Sequence, residues 1–199
     1  MYYGRENLLL AVLAISDRLK PTSMSAVEAL KKEGVEVHLL TGDGLQTAEQ
    51  VAASLGIVSY KAEVLPNGKE AYIVALQKQG KRVAMVGDGI NDSQALARAD
   101  VSIAMGKGTD IAMDVAMVTL MTSDLLLVPE AIRLSRQTVR LIRQNLFWAF
   151  VYNLIGIPLA AGAFFFVNGL LLNPMWASAA MAFSSVSVVM NSLRLKWIK

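Results

Sequence analysis

Acidic and amide side chains are concentrated in a glycine-flanked turn that directly follows an apolar run. The turn has the sequence "GDGIND", and it places Asp88, Asn91 and Asp92 within five residues. Two carboxylates this close repel each other unless a cation lies between them. Carboxylate oxygens are ligands that Mg²⁺ prefers, because it is a hard cation. The clustered carboxylates of Asp88 and Asp92 therefore suit a magnesium site.

Two further segments supply the other groups that phosphoryl transfer requires. "TGD" (Thr41–Asp43) follows an apolar run and offers a hydroxyl and small-residue amides that can hold phosphoryl oxygens. Lys69 stands near the start of a predicted helix and adds a cation. The transferred group spreads its charge over three oxygens, so its site needs fixed donors, a cation and magnesium. Taken singly, each segment is ordinarily a surface loop or a solvated charge. Only the combination predicts phosphoryl chemistry.

The elements that must position these residues alternate along the first 121 residues. Apolar runs are typical of strands and amphipathic segments of helices, and their spacing predicts a parallel sheet with right-handed crossovers. Ligands of such sheets lie at the carboxyl ends of the strands, where both Thr41 and Asp88 stand. The predicted strands are 8–16, 35–40, 82–87, 101–105 and 116–121, and the predicted helices are 23–34, 45–56, 68–80 and 93–99.

The second part of the chain has a different composition. Hydrophobic residues make up 54% of the 199 residues, against roughly 45–50% in soluble domains, and no Asp, Glu, Lys, Arg or His occurs between Arg143 and Arg194. A hydrocarbon core of ~30 Å needs ~20 apolar residues per helix. The uncharged stretch therefore predicts a transmembrane hairpin with a turn at Phe166–Pro174. Basic residues on both flanks predict that both ends are cytoplasmic.

These patterns divide the chain into three parts: an α/β domain over 1–129, a basic amphipathic helix over 130–145 and a two-helix hairpin over 146–199. Arginines at steps of three, four and three place one face of the middle helix either in solvent or against anionic lipid headgroups or a neighbouring domain. A net charge of +3 does not indicate a nucleic-acid partner. The absence of cysteine excludes disulfides and thiolate metal sites within this chain.

The ordered motifs resemble those of the haloacid dehalogenase superfamily, and in detail the phosphorylation domain of P-type ATPases. The matching segments are "ISDRLKP", "TGD", "LPNGK" and "MVGDGINDSQALARADVSIAMGKGTD", with Ser93-Gln94 departing from the commoner Ala-Pro. The resemblance implies a Rossmann-like parallel sheet and use of ATP and Mg²⁺. It implies that Asp88 ligates Mg²⁺ and that Asp17 belongs to a hinge facing the nucleotide. The residues implied to contact or orient the phosphoryl group are Thr41, Gly42, Asp43, Lys69, Asn91 and Asp92.

A D-K-T-G-T sequence, which carries the phosphate-accepting aspartate in that family, does not occur in this chain. We therefore expect the chain alone to be catalytically incompetent and to act with an N-terminal portion that carries the acceptor, a nucleotide domain and an actuator domain. One alternative is a membrane-anchored phosphatase with Asp17 as nucleophile, although Leu19 and Pro21 stand where soluble relatives place an acid and a hydroxyl. The other is the non-catalytic half of a split transporter.

The uncharged stretch also suggests which ion would be transported. A methionine thioether is a soft ligand suited to Cu(I), although methionine in a membrane helix is more often a packing residue. Tyr-Asn on the first span and M-x-x-S-S on the second resemble the last two helices of copper(I)-exporting heavy-metal ATPases. The resemblance implies a Cu(I) or Ag(I) site formed by Tyr152, Asn153, Met181 and Ser185, and disfavours zinc. It further implies a multi-pass protein of a bacterial inner or plasma membrane, surrounded by lipid and open to a copper chaperone as partner.

Overall fold

The structure is a computed structural model that describes residues 2–5, 8–12, 18–106, 110–161 and 174–194. The chain divides into two compact units, residues 1–129 and 130–199. Asp17 and residues 162–173, which include most of the predicted hairpin turn, lie outside the described residues.

The first unit alternates short strands and helices, as the sequence predicts. Its strands are β1 (Tyr2–Arg5), β2 (Leu8–Val12), β3 (His38–Leu40), β4 (Ser59–Lys61), β5 (Ala84–Gly87), β6 (Val101–Ala104) and β7 (Val118–Thr119). Its helices are α1 (Ser23–Lys32), α2 (Leu45–Ser54), α3 (Pro66–Lys78), α4 (Ser93–Arg98) and α5 (Asp110–Val115). A 3-10 turn, Ile90–Asp92, precedes α4.

Parallel pairing confirms the predicted α/β class. β3 pairs with β4 in parallel, and β5, β6 and β7 form a second parallel sheet. β1 and β2 pair antiparallel, which the sequence analysis did not predict. The short connection between β1 and β2 explains this pairing, because a parallel pair needs a crossover of about a dozen residues or more. The helices α2 and α4 are such crossovers.

Among the described residues, two apolar clusters hold these layers together. Val27, Ala52 and Ile57 are buried beside β3 and β4, and Ile73, Ala95 and Ala99 are buried beside β5. The second cluster is what packs α3 against α4. Burial of these side chains is the main favourable term that holds the helices on the sheets.

Among its described residues, the second unit contains two helices, α6 (Leu127–Ala160) and α7 (Pro174–Leu193). The predicted basic segment 130–145 is helical and forms part of the longer helix α6, which continues through Pro158. Asn145 accepts a hydrogen bond from Asn191 (2.8 Å) and donates one to Ser192 (2.9 Å), so the two helices are joined there. Within the described residues, neither helix has the length and hydropathy of a membrane span.

Candidate active site

The best-defined contact among the predicted site residues is a buried ion pair between Lys69 and Asp92. The Lys69 Nζ lies 2.7 Å from the Asp92 Oδ1, and the two side chains are only 12% and 13% exposed. Lys69 lies in the first turn of α3, which Pro66 begins with a preset φ. Asp92 ends the 3-10 turn that follows β5. A lysine ammonium therefore lies beside one of the two carboxylates of the acidic turn.

Gly87, the last residue of β5, makes room for this pair. A Cβ at Gly87 would lie 2.7 Å from the Cβ of Asp92 and 2.9 Å from its Oδ2, well inside van der Waals contact. At Gly89, by contrast, the nearest atom to an added Cβ is the backbone nitrogen of Asn91, 3.8 Å away. Only the first of these two glycines is sterically required, because Asp92 packs directly against the strand end.

The Thr41–Asp43 turn at the end of β3 is closed by its own side chains. The Thr41 hydroxyl donates to Asp43 Oδ2 (2.8 Å), and the backbone N–H of Asp43 donates to Thr41 Oγ1 (3.1 Å). The backbone N–H of Val64 donates to the carbonyl of Thr41 (3.0 Å), and the chain then runs directly into α3. Thr41 and Lys69 thus have different side-chain partners, and a short backbone segment links their elements. Gly42 is exposed in the same turn.

Asp88 and Asn91 are exposed beside the buried pair. Asp88 forms no ion pair with another residue that the structure describes. Its carboxylate, at the carboxyl end of β5, is a donor of the type that Mg²⁺ prefers. Among the described residues no cluster of three or more His, Cys, Asp or Glu side chains could hold a metal. These residues therefore fit a magnesium ion only in part, and the remaining ligands would have to come from water, phosphate or another part of the protein.

A link that the sequence analysis missed holds α3 against β5. The carboxylate of Asp100 accepts hydrogen bonds from the backbone N–H of Val83 (2.8 Å) and from Gln77 Nε2 (3.2 Å). The Val83 bond first, and the Gln77 bond next, lower the pKa of Asp100 below its ordinary value of 3.8. Partners separated by 17 and 23 residues leave no local sequence signal, so only the packed structure could have identified them.

The predicted transport-site residues in the second unit do not all line one groove. Tyr152 lines a groove of about 270 Å³ whose other lining residues are Asn145, Trp148, Ser187, Val188 and Asn191. The amide of Asn153 donates instead to the carbonyl of Ala149 in its own helix (2.9 Å). Ser185 is an exposed residue of α7, and Met181 belongs to the same helix, although its side chain lies outside the described residues. The structure therefore brings Tyr152, but not the Asn153 amide, into the groove between the helices.

Comparisons with known proteins agree with the sequence motifs. The haloacid dehalogenase-like hydrolase family matches residues 3–100. The chain is 56% identical over 186 residues to the probable copper-transporting ATPase PacS of Synechocystis sp., covering 94% of this chain and 25% of that protein. It is 50% identical over 199 residues to the silver exporting P-type ATPase of Salmonella typhimurium, covering all of this chain and 24% of that protein. The chain thus spans about a quarter of the length of the curated relatives it matches.

A solved structure extends the similarity to three dimensions. The chain superposes on a zinc-transporting PIB-type ATPase in its E2.Pi state with a TM-score of 0.79 at 34% identity, covering 90% of this chain and 28% of that one. The predicted resemblance is thereby confirmed: residues 3–100 match the haloacid dehalogenase-like hydrolase family, and nearly the whole chain is similar to part of heavy-metal-transporting P-type ATPases.

Proposed function

We propose that this chain is the C-terminal segment of an ATP-driven Cu(I) or Ag(I) export pump that forms a phospho-aspartyl intermediate on an aspartate outside residues 1–199. The observation that carries the proposal is the buried Lys69–Asp92 pair beside the strand-end carboxylate of Asp88. Relatives named as copper-transporting and silver-exporting ATPases, 56% and 50% identical, support it.

Lys69 is the residue that would neutralise the phosphoryl group. Its ammonium has three donors, and the bond to Asp92 Oδ1 uses one of them. Asp92 therefore orients the amine, so that the charge is already in place when a phosphoryl group arrives. A preorganised charge in a poorly hydrated site stabilises the transition state more than a solvated one. Asn91, exposed in the same turn, would help to hold the geometry.

Thr41 and Asp88 would contact the phosphoryl group and its magnesium from two strand ends. The Thr41 hydroxyl would exchange its bond to Asp43 for one to a phosphoryl oxygen. Asp88 would hold Mg²⁺ together with ligands from outside this chain. Bound there, magnesium would neutralise charge on the phosphoryl oxygens. Asp17 would contribute to a hinge facing the ATP-binding domain.

The choice of copper or silver over zinc depends on the uncharged stretch between Arg143 and Arg194. A site there cannot use a carboxylate or an amine of this chain, and a thioether favours a soft ion. Tyr152, Asn153, Met181 and Ser185 would form this site, with further ligands from helices outside the chain. The similarity to a zinc-transporting structure, at 34% identity, supports the pump architecture rather than the identity of the metal.

We also propose that residues 146–199 cross a membrane as a hairpin with both ends cytoplasmic, preceded by the 130–145 segment and the 1–129 phosphorylation domain. Large apolar side chains on both helices are exposed, among them Leu146, Phe150 and Phe183 at 65%, 64% and 72%. Apolar patches of this kind mark a membrane or a partner surface. Basic residues on both sides of the uncharged stretch favour cytoplasmic ends.

The decisive experiment is phosphorylation by labelled ATP in membranes, with the chain alone and joined to an N-terminal portion carrying an acceptor aspartate. We expect an acid-stable phosphoprotein only in the joined form, formed in response to Cu(I) or Ag(I). Asp88→Asn should abolish most of it, whereas Glu49→Gln, a matched carboxylate-to-amide change on the exposed face of α2, should not. Phosphorylation of the isolated chain would contradict the proposal.

The phosphatase alternative gives a different outcome in the same preparation. A membrane-anchored phosphatase would turn over a generic phosphomonoester without the N-terminal portion, and Asp17→Asn would remove that turnover. Under the pump proposal the isolated chain has no such activity. A split transporter would instead regain copper export when the two halves are supplied as separate chains.

A further inference from the structure

His38, the one histidine of the chain, lies at the centre of a polar cluster outside the candidate active site. Its Nδ1 lies 2.8 Å from the hydroxyl of Tyr72, and its Nε2 lies 3.0 Å from Glu36 Oε1. The rings of His38 and Tyr72 meet edge to face with centroids 5.7 Å apart. The His38 side chain is 16% exposed, so this contact is largely shielded from water.

The cluster fastens α3 to β3 at two points. His38 is the first residue of β3, while Tyr72 lies in the middle of α3. Glu36 also accepts a hydrogen bond from Lys81 (2.5 Å), three residues beyond the end of α3. The Lys61 ammonium of β4 also lies 5.7 Å from the centroid of the Tyr72 ring. The contacts therefore hold both the middle and the end of α3 on the β3–β4 sheet.

The placement of these residues relates the cluster to the site. Tyr72 is three residues after Lys69, so the two lie on neighbouring positions of one helical face. His38 is three residues before Thr41 on the same strand segment. The contact between His38 and Tyr72 thus joins, at short range, the strand that ends in Thr41 to the helix that presents Lys69.

Within the described residues, β3–β4 and β5–β6–β7 are separate sheets with no backbone pairing between them. The helix α3 contacts both: through Tyr72 it reaches β3, and through Ile73, Gln77 and Lys69 it reaches β5, α4 and Asp92. The relative placement of Thr41 and of Asp92 therefore depends on the position of α3 against the two sheets, which we call the seating of α3.

We propose that His38 and Tyr72 are positioning residues, whose contact seats α3 so that Lys69 faces the phosphoryl group held at Thr41. The inference rests on the proposed function for the role of Thr41 and Lys69, but the seating itself does not. Neither residue touches the phosphoryl group. In the neutral imidazole, Nε2–H donates to Glu36 and Nδ1 accepts from the Tyr72 hydroxyl, so both ring nitrogens are satisfied.

The seating can be measured without any ligand, because the chain has no cysteine and two introduced cysteines can carry unique spin labels. Gln46→Cys on α2 and Ala71→Cys on α3 are both exposed positions. We expect one narrow distance distribution by pulsed EPR in the parent. Tyr72→Phe, which keeps the ring and removes the hydroxyl, should broaden or shift it, and His38→Leu should do the same. Tyr60→Phe on β4 is the matched control and should leave it unchanged.

A conservative substitution that restores the hydrogen-bond acceptor distinguishes a positioning role of His38 from a simple loss of packing. His38→Asn keeps an acceptor close to the place of Nδ1, so it should preserve the distance distribution that His38→Leu loses. Nitrogen NMR of the single histidine verifies the parent contact, since Tyr72→Phe must shift its Nδ1 signal. A signal shift with unchanged distances in both Tyr72→Phe and His38→Leu would overturn the proposal.

The effect on function is measured as the rate of phosphoprotein formation in the chain joined to its N-terminal portion. Loss of one neutral hydrogen bond should slow phosphoprotein formation roughly three- to ten-fold in Tyr72→Phe, with recovery in His38→Asn relative to His38→Leu. If the parent forms no phosphoprotein, the proposed function fails while the EPR result still decides the seating. If the distances change and the rate of phosphoprotein formation does not, the positioning role is refuted.

Discussion

Replacing Gly87 by alanine tests whether the space at the end of β5 is reserved for Asp92. The new methyl carbon would lie 2.7 Å from the Cβ of Asp92 and 2.9 Å from its Oδ2. The strand backbone cannot retreat freely, because Gly87 is buried and pairs with Ala104 of β6. Asp92 must therefore move, and its bond to Lys69 must lengthen or break.

The expected cost follows from two terms. Overpacking a dense interior typically costs 1–3 kcal/mol, so we take about 2 kcal/mol for the collision. Complete loss of one partner from a buried ion pair costs about 3–5 kcal/mol, which sets an upper limit because displacement only weakens the pair. Gly89→Ala is the matched control, since its Cβ meets nothing closer than 3.8 Å and its φ of −118° suits any residue. That change should be neutral or stabilising by about 0.4–1 kcal/mol.

Hydrogen exchange of the α4 amides measures the difference in local stability between Gly87→Ala and Gly89→Ala. A free-energy gap of about 2 kcal/mol between the two variants corresponds to roughly 30-fold faster exchange in Gly87→Ala. Mass spectrometry of peptides covering α4 measures it without needing a single global transition. Exchange in Gly87→Ala within two-fold of Gly89→Ala would refute the argument that Asp92 is packed against the strand.

Three further outcomes are expected. Lys69→Met leaves its carboxylate partner buried and unpaired, and should lower the free energy of unfolding by about 3–5 kcal/mol in urea titrations; a loss below 1 kcal/mol would mean the pair is solvated. The pKa of Asp100 is lowered, first by the Val83 N–H, so it contributes stability that is present above pH 3.8 and lost as the pH falls through the lower folded-state value. Unfolding midpoints measured against pH should show that loss, and Asp100→Asn should flatten it. Asn145→Ala removes two hydrogen bonds between α6 and α7 and should weaken the association of the two helices in mixed micelles by roughly 1 kcal/mol. Asn153→Ala should not weaken it, because the Asn153 bond lies within one helix. Equal effects of the two substitutions would contradict the conclusion that Asn145 joins the helices.

Much of the fold could be predicted from local patterns. The helices α1, α2 and α3 lie within two residues of their predicted starts, and each is followed by a glycine in the left-handed region, Gly34, Gly56 and Gly80. Such glycines end helices because they lack a Cβ that would clash there. The three-residue strand β4 was not predicted, since Ser-Tyr-Lys shows no usable alternation. β1 was not predicted either; it pairs antiparallel with β2, the next strand along the chain.

The candidate site was predicted only as a set of residue types at strand ends. The Gly87–Asp92 turn and the Thr41–Asp43 turn both follow strands, as expected from the alternation. The sequence did not predict which side chain would pair with the carboxylate of Asp92. Both Asp88 and Asp92 are predicted magnesium ligands, and the structure distinguishes them because, among the described residues, only Asp92 pairs with Lys69. That distinction arises from burial of the pair, which no spacing rule reports.

Composition and periodicity, by themselves, determined the α/β class, the strand ends that carry the chemistry, and the uncharged character of the stretch after Arg143. Each of these follows from interactions within a few residues or from simple counting. Tertiary packing alone decided that Lys69 joins Asp92, that Tyr72 joins His38, and that Asn145 joins Asn191. These partners are 23, 34 and 46 residues apart, and their geometry is set by how whole helices lie on the sheets and on each other.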